Sequence, residues 1–259
     1  MLTTSLAYRQ ITADMDRSLE RIGNMPQAGR ETEYYRENVE TIRSIDDFMA
    51  DERIYAYALT AFGLGEMRYA KAFIRKVLEE GIDKPDSLAN RLADRRYRDF
   101  ATAFNFARHG EVTTTFGRTR EDTVQRYLRE TLEVDAGRQN EGVRLALYFA
   151  RKAEGIESAM DILADPALLK VVQTATGISP LTSAANIDRQ AEMIATRLDV
   201  EDLKDPEKLD AFLMRFTSLW ELENRPAMNV PAILSGPVRP FGLSADLLAS
   251  LQRIRFGGF

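Results

Sequence analysis

The sequence predicts an all-α, multi-helical fold, and three observations carry that expectation. Apolar residues recur at helical spacing along most of the chain. Start and stop signals punctuate the pattern: Ser or Thr followed three residues later by an acid, Asp-Pro pairs, and glycines after the last apolar position. Most telling, one segment occurs twice, as Asp47-Phe48-Met49-Ala50-Asp51 and as Asp161-Ile162-Leu163-Ala164-Asp165, 114 residues apart. Each copy runs into an apolar stretch with a Thr-Ala-x-Gly-aliphatic end, Thr60-Ala61-Phe62-Gly63-Leu64 in the first and Thr174-Ala175-Thr176-Gly177-Ile178 in the second. Both copies therefore read as one helix, and the chain as two similar helical units from an internal duplication.

The elements follow in order. Leu6, Ala7, Ile11, Met15, Leu19 and Ile22 form one stripe, predicting a single amphipathic helix that Gly23-Asn24-Met25-Pro26 stops. A polar helix bearing Tyr34 and Tyr35 runs from about Arg30 to Thr41. Ser44-Ile45-Asp46-Asp47 fits a capping box that opens the repeated helix, which Gly63 and Gly65 break. Glu66 to Glu80 is a further helix ended by Gly81. Lys84-Pro85-Asp86-Ser87 begins the next pair, whose Phe-rich stretch from Ala101 to Ala107 closes at Gly110. Thr119-Arg120-Glu121-Asp122 is a second capping-box match, starting a long helical stretch to about Ala153 that is interrupted or bent around Gly137 and Gly142. After the second copy, Met193 to Leu198 and a helix carrying Phe212, Phe216 and Trp220 repeat the order of parts seen at Ala72 to Leu78 and at Phe100, Phe104 and Phe106. Asp165-Pro166 and Asp205-Pro206 each place an Asp cap ahead of a first-turn proline. Pro226, Pro231, Pro237 and Pro240 are too many ring constraints for a helix, so an irregular Pro-rich strap is expected before a short C-terminal helix over Ser244 to Ile254.

This order divides the chain into a first helical unit over 1–110, a hinge over 111–118 marked by three consecutive threonines, a second helical unit over 119–224, and the strap with its terminal helix over 225–259. The two units are free to share one core. At 259 residues, 44% of them apolar, the chain is long enough to bury a real core. Its 40 acids and 35 bases are interspersed, so the net charge of −5 predicts a well-hydrated surface and argues against a nucleic-acid groove. No window approaches the ~18 consecutive apolar residues of a membrane span, and Met1 to Ile22 lacks the layout of a cleaved secretory signal.

Cysteine is absent and histidine occurs once, at His109. Disulfides, Cys or His zinc clusters and any Ser-His or Cys-His nucleophile pair away from that ring are thereby excluded. His109, just before Gly110, reads as a cap at a helix end. Asp46-Asp47, Glu79-Glu80 and Glu221-x-Glu223 read as helix caps and solvated faces, because no EF-hand loop is present and a di-iron site would want two Glu-x-x-His motifs. Gly63-Leu64-Gly65 is too short to cradle a phosphate, and Asp94 and Asp99 dilute the cluster Arg91, Arg95, Arg96 and Arg98. No catalytic, cofactor-binding or metal-ligating residue is predicted. The partner-binding candidates are Tyr34 and Tyr35, whose amphipathic rings on a polar helix suit interface anchors. Leu6, Ile11, Leu19, Leu247 and Leu251 join them, on amphipathic segments able to pair with one another or with neighbouring subunits.

The run Glu31-Thr32-Glu33-Tyr34-Tyr35, the segment Ser44 to Asp51, then Ala61-Phe62-Gly63-Leu64, Tyr69-Ala70-Lys71-Ala72-Phe73 and Phe104-Asn105-Phe106-Ala107 resemble an uncharacterised alphaproteobacterial family, domain of unknown function 1217. The similarity runs from Tyr8 to the closing Arg255-Phe256-Gly257-Gly258-Phe259, with its spaced motifs in order. No activity or catalytic residue comes with the resemblance, and none is carried over; what it implies is an association with flagellar gene clusters. The expectation is a non-enzymatic helical structural or interaction protein, with a flagellar accessory or axial component as its leading form. It would have protein partners, no cofactor, no nucleic acid and no membrane insertion, and would stay in the cytoplasm or reach the flagellum without a cleaved signal. A cytosolic helical adaptor or export chaperone is the alternative. The third reading is an enzyme of unknown type, built on a pocket of acids, Arg or Tyr around His109.

Overall fold

Helical signals dominate the sequence, and the computed structural model, which describes residues 3–224, answers them with helices and 3-10 turns and no strand among the described residues. In chain order the helices are α1 (Thr4–Thr12), α2 (Met15–Gly23), α3 (Pro26–Asn38), α4 (Ile45–Ala50), α5 (Glu52–Ala61), α6 (Lys71–Glu80), α7 (Leu88–Arg91) and α8 (Arg95–Ala103). They continue as α9 (Phe106–His109), α10 (Glu121–Gln139), α11 (Glu141–Lys152), α12 (Ala159–Leu163), α13 (Pro166–Thr176), α14 (Ile187–Arg197) and α15 (Pro206–Glu223). The fold is all-α, as expected. The Pro-rich strap and the terminal helix bearing Leu247 and Leu251 lie outside the described residues.

Three aspartates split what periodicity reads as single helices. Asp14 Oδ1 accepts from the Arg17 amide at 3.0 Å and starts α2, so Leu6 to Ile22 is two helices. Asp51 Oδ1 accepts from the amides of Arg53 and Ile54, both at 3.0 Å, and Asp165 Oδ1 from those of Ala167 at 2.9 Å and Leu168 at 3.3 Å. Each carboxylate satisfies orphan N–H groups of a new helix, so each copy of the repeated helix is a pair, α4–α5 and α12–α13. The long stretch breaks at Asn140, between the two glycines, and residues 65–69 form a 3-10 turn ahead of α6. The second capping box does not form. Thr119 Oγ1 instead donates to the carbonyls of Phe116 at 2.8 Å and Thr113 at 3.0 Å, and α10 starts without a side-chain cap.

The duplication is visible in hydrogen bonds as well as in sequence. The Tyr34 hydroxyl donates to Asp51 Oδ2 at 2.8 Å, and the Tyr148 hydroxyl, 114 residues on, donates to Asp165 Oδ2 at 2.6 Å. Val39–Thr41 and Ala153–Gly155 are matching 3-10 turns, followed by the buried, extended residues Ile42 and Ile156. Gly63 and Gly177 both adopt φ +69°, a left-handed conformation that closes α5 and α13 without a Cβ clash. The amides that follow reach back five residues, Leu64 to the Leu59 carbonyl at 2.8 Å and Ile178 to that of Gln173 at 3.0 Å. Beyond this point the constant spacing ends, but the order holds: α6 packs on α4, and α14 on α12.

Two hydrophobic clusters fill the interior. Residues from Ile22 to Leu132 build the first; Tyr8 with residues from Val143 to Trp220 builds the second. The two clusters adjoin at the α10–α11 corner. In the threonine segment at 111–118 Thr113 and Thr114 are buried, and Thr114 Oγ1 donates to the Ile42 carbonyl at 2.7 Å, tying the 3-10 turn over 110–115 to the chain just past Val39–Thr41. At the corner a Cβ on Gly142 would stand 2.3 Å from the Trp220 ring, so close packing of α11 on α15 requires glycine there.

Candidate functional site

Charged side chains on otherwise apolar helix faces have to find partners, and here they meet in one cleft of about 1070 Å³ lined by residues of both halves, from Thr60 to Asp99 and from Glu130 to Leu168. Glu130 and Glu133 stand one turn apart on α10, facing Arg151 of α11. Arg151 Nε and Nη2 donate to the two oxygens of Glu133 at 2.8 and 2.7 Å, and Nη2 also donates to Glu130 Oε2 at 2.8 Å. Arg129 Nε adds a bond to Glu133 Oε1 at 3.3 Å. The fork geometry suits a carboxylate that is only 1% exposed. Burial, and then the neighbouring Glu133 charge, push the Glu130 carboxyl above its ordinary value against the pull of Arg151. Burial opposes the charge on Arg151, but its bonds to Glu133 together with the charges of Glu133 and Glu130 outweigh that and raise its pKa.

The Tyr148 ring lies 5.2 Å from the Arg151 guanidinium, and its hydroxyl is the one held by Asp165. Burial first, then that hydrogen bond, raise the Tyr148 pKa, so it remains a neutral donor. On the opposite wall Arg96 Nη2 donates to Asp94 Oδ2 at 2.8 Å, while its Nη1 donates to the Gly63 carbonyl at the end of α5, where a cation is favoured. Arg95 pairs with Asp161 at 2.5 Å and Lys152 with Asp99 at 3.7 Å, both across the cleft. Chemically the arrangement locks helices together. Among the described residues no group of His, Asp or Glu could hold a metal ion.

The residues singled out from sequence lie elsewhere. Tyr35 is fully buried, its hydroxyl donating to the Thr119 carbonyl and its ring stacked on Tyr57 at 4.3 Å, which stacks in turn on Tyr127 at 3.8 Å. It is core and not a partner anchor; the polar composition of α3 conceals a buried edge at Ala28, Thr32 and Tyr35. Tyr34 is half-buried, tied to Asp51, with the Arg53 guanidinium 3.7 Å from its ring centre. Leu6 is 51% exposed, whereas Ile11 packs against both clusters and Leu19 against the first. His109 ends α9 with its ring 5.0 Å from that of Phe116, away from the cleft; slight burial, then the charges of Arg118 and Arg108, lower its pKa. Sequence reasoning missed Glu130, Glu133 and Arg151. The available signal was a charge inside an apolar stripe: Glu133 beside Leu132, and Arg151 one turn after Leu147.

Fold and cleft together define an all-helical protein built from a repeated unit and tied by buried ion pairs. A family model described as protein of unknown function (DUF1217) matches residues 61–209, more than half of the chain. A crystal structure of a protein from Agrobacterium tumefaciens is similar at 48% identity and a TM-score of 0.79, covering 85% of this chain and 94% of that one. No curated protein matches. The chain belongs to the DUF1217 family.

Proposed function

We propose that the protein is a non-enzymatic structural or interaction component that works through its helical surface, with a flagellar accessory or axial role as the leading form. One observation carries the reading: the charged groups of the cleft are engaged with each other, Glu130 and Glu133 with Arg151, Asp94 with Arg96, Asp161 with Arg95, and their bonds hold helices in place. Large apolar side chains stand in water instead, including Tyr69, Leu181 and Ile187, as contact residues do. The flagellar form draws on the gene-cluster association that the family resemblance implies. No described helix is long and apolar enough to cross a membrane, so contact with other proteins is the simplest use of such a surface.

Fractionation of cells into sheared filaments, basal bodies, membrane and cytosol, followed by mass spectrometry of copurifying proteins, tests this. Enrichment with filament or basal body is expected. Recovery with one unfolded client in the cytosol would favour the adaptor or export-chaperone reading, and recovery as a cytosolic monomer without flagellar partner would remove the flagellar form.

A further inference from the structure

We infer that α1 is an exchangeable arm, and that the groove between α11 and α15 that holds it also accepts α1 of a second copy of this chain. The argument starts at the break between α1 and α2. The apolar stripe Leu6, Ile11, Met15, Leu19 and Ile22 runs unbroken past Ala13 and Asp14, so the local sequence supports one continuous helix. The chain nonetheless leaves helical geometry at Asp14, where φ is −147° and ψ is 84°. The helix ahead of the second repeat, α10, holds the corresponding place, leading into α11 as α2 leads into α3, and it is continuous over 19 residues. One chain thus displays both the bent and the straight solution for the same kind of element.

The bend sends its two sides to different cores. α2 packs on α10, and its Ile22 belongs to the first cluster. α1 packs on α15 and α11, and its Tyr8 belongs to the second cluster. The contact joins apolar packing, with Tyr8 buried and Ala7 and Ile11 half-buried against the second cluster, to specific hydrogen bonds. Ser5 Oγ donates to Thr217 Oγ1 at 3.0 Å, the Thr4 amide donates to Glu221 Oε2 at 2.9 Å across 217 residues of chain, and Asn140 Nδ2 donates to Thr4 Oγ1 at 2.9 Å. Tyr8 is the one fully buried apolar side chain of α1. The hydrogen bonds fix the register in which Tyr8 is buried, so any helix that takes this groove must carry the same residues. Straightening at Ala13 and Asp14 makes a rod of roughly 30 Å, which carries α1 away from its own groove. An identical α1 from a second copy restores every bond, which is the condition for exchange of an element between protomers.

The chain has no cysteine, and Ser5 Oγ lies 3.3 Å from Ser218 Oγ, which gives a clean test. Full-length Ser5→Cys and Ser218→Cys variants are refolded together at high concentration and mildly oxidised. A disulfide-linked heterodimer is expected, well above the level given by the control pair Asp86→Cys and Ser218→Cys on exposed surface. Asp14→Ala removes a cap that only the bent form needs and should raise the dimer fraction about fivefold, the equivalent of a typical N-cap. The result that overturns exchange is a double variant, Ser5→Cys with Ser218→Cys, that cross-links within one chain at every concentration while the mixture gives no heterodimer above control. The inference rests on the interaction reading only for the partner's being a protein. Loss of the flagellar form in fractionation leaves exchange standing, and failure of the cysteine mixture removes exchange alone.

Discussion

Arg151 joins α11 to α10 through two carboxylates, and the weight of that arrangement shows when one member is removed. A buried ion pair contributes little net stability against an apolar replacement, but a broken one leaves an uncompensated charge. Arg151→Ala, which leaves Glu133 at 1% exposure with the longer 3.3 Å bond from Arg129 in place of its fork, should therefore lower unfolding free energy by about 3 kcal/mol in urea titrations. A loss below about 1 kcal/mol, typical of exposed pairs, would contradict the buried assignment. Glu130 makes a second prediction with a definite sign. Burial first, and the Glu133 charge second, make its carboxyl hold a proton more tightly in the folded state. Between the ordinary glutamate value and the raised one the folded chain binds more protons than the unfolded chain, so stability falls as pH rises through that window. Glu130→Gln should remove that fall in urea midpoints measured upward from about pH 4; an unchanged slope would show the proton is not held there.

Capping carries the logic of the elements. Asp51 and Asp165 each accept two backbone amides and one tyrosine hydroxyl, so one carboxylate fixes a helix start and a neighbouring helix at once. Substitution by Ala removes a cap of about 1 kcal/mol and leaves the tyrosine hydroxyl without its acceptor, a further ~1–3 kcal/mol where that hydroxyl is buried. Asp165→Ala should be the more damaging of the two, because burial leads the pKa rise of Tyr148, whereas the Asp51 hydrogen bond leads that of the more exposed Tyr34. Equal thermal shifts for the two variants would contradict this. Helix content, the Gly81 and Gly110 stops and the Ser44 cap were legible in the sequence because they follow from local periodicity and capping. Helix number was not, since Asp14, Asp51 and Asp165 interrupt stripes that remain apolar on both sides. Tyr35 and Thr114 escaped for the opposite reason: they bond to Thr119 and Ile42, remote in sequence. The Glu130, Glu133 and Arg151 triad needs α10 and α11 to turn back on each other, a fact that no spacing within either helix contains.

Across the described chain, two copies of a helical unit are fused by shared helices. α10 contributes Val124, Tyr127 and Leu128 to the first cluster while packing along α11 of the second, and α1 crosses to the second cluster although α2 serves the first. The second cluster is not complete without Tyr8 of α1, Ile11 and Met15 pack on both clusters, and α10 of the first packs along α11 of the second, so the two should unfold as one cooperative unit. The single tryptophan, Trp220, sits in the second cluster and reports on it alone. The stacked tyrosines Tyr35, Tyr57 and Tyr127 lie in the first. Urea unfolding followed by Trp220 fluorescence, by tyrosine absorbance and by far-ultraviolet circular dichroism therefore tests the fusion directly. One midpoint shared by all three signals is the predicted result; separate midpoints for the tryptophan and tyrosine signals would show two independent halves and contradict the account.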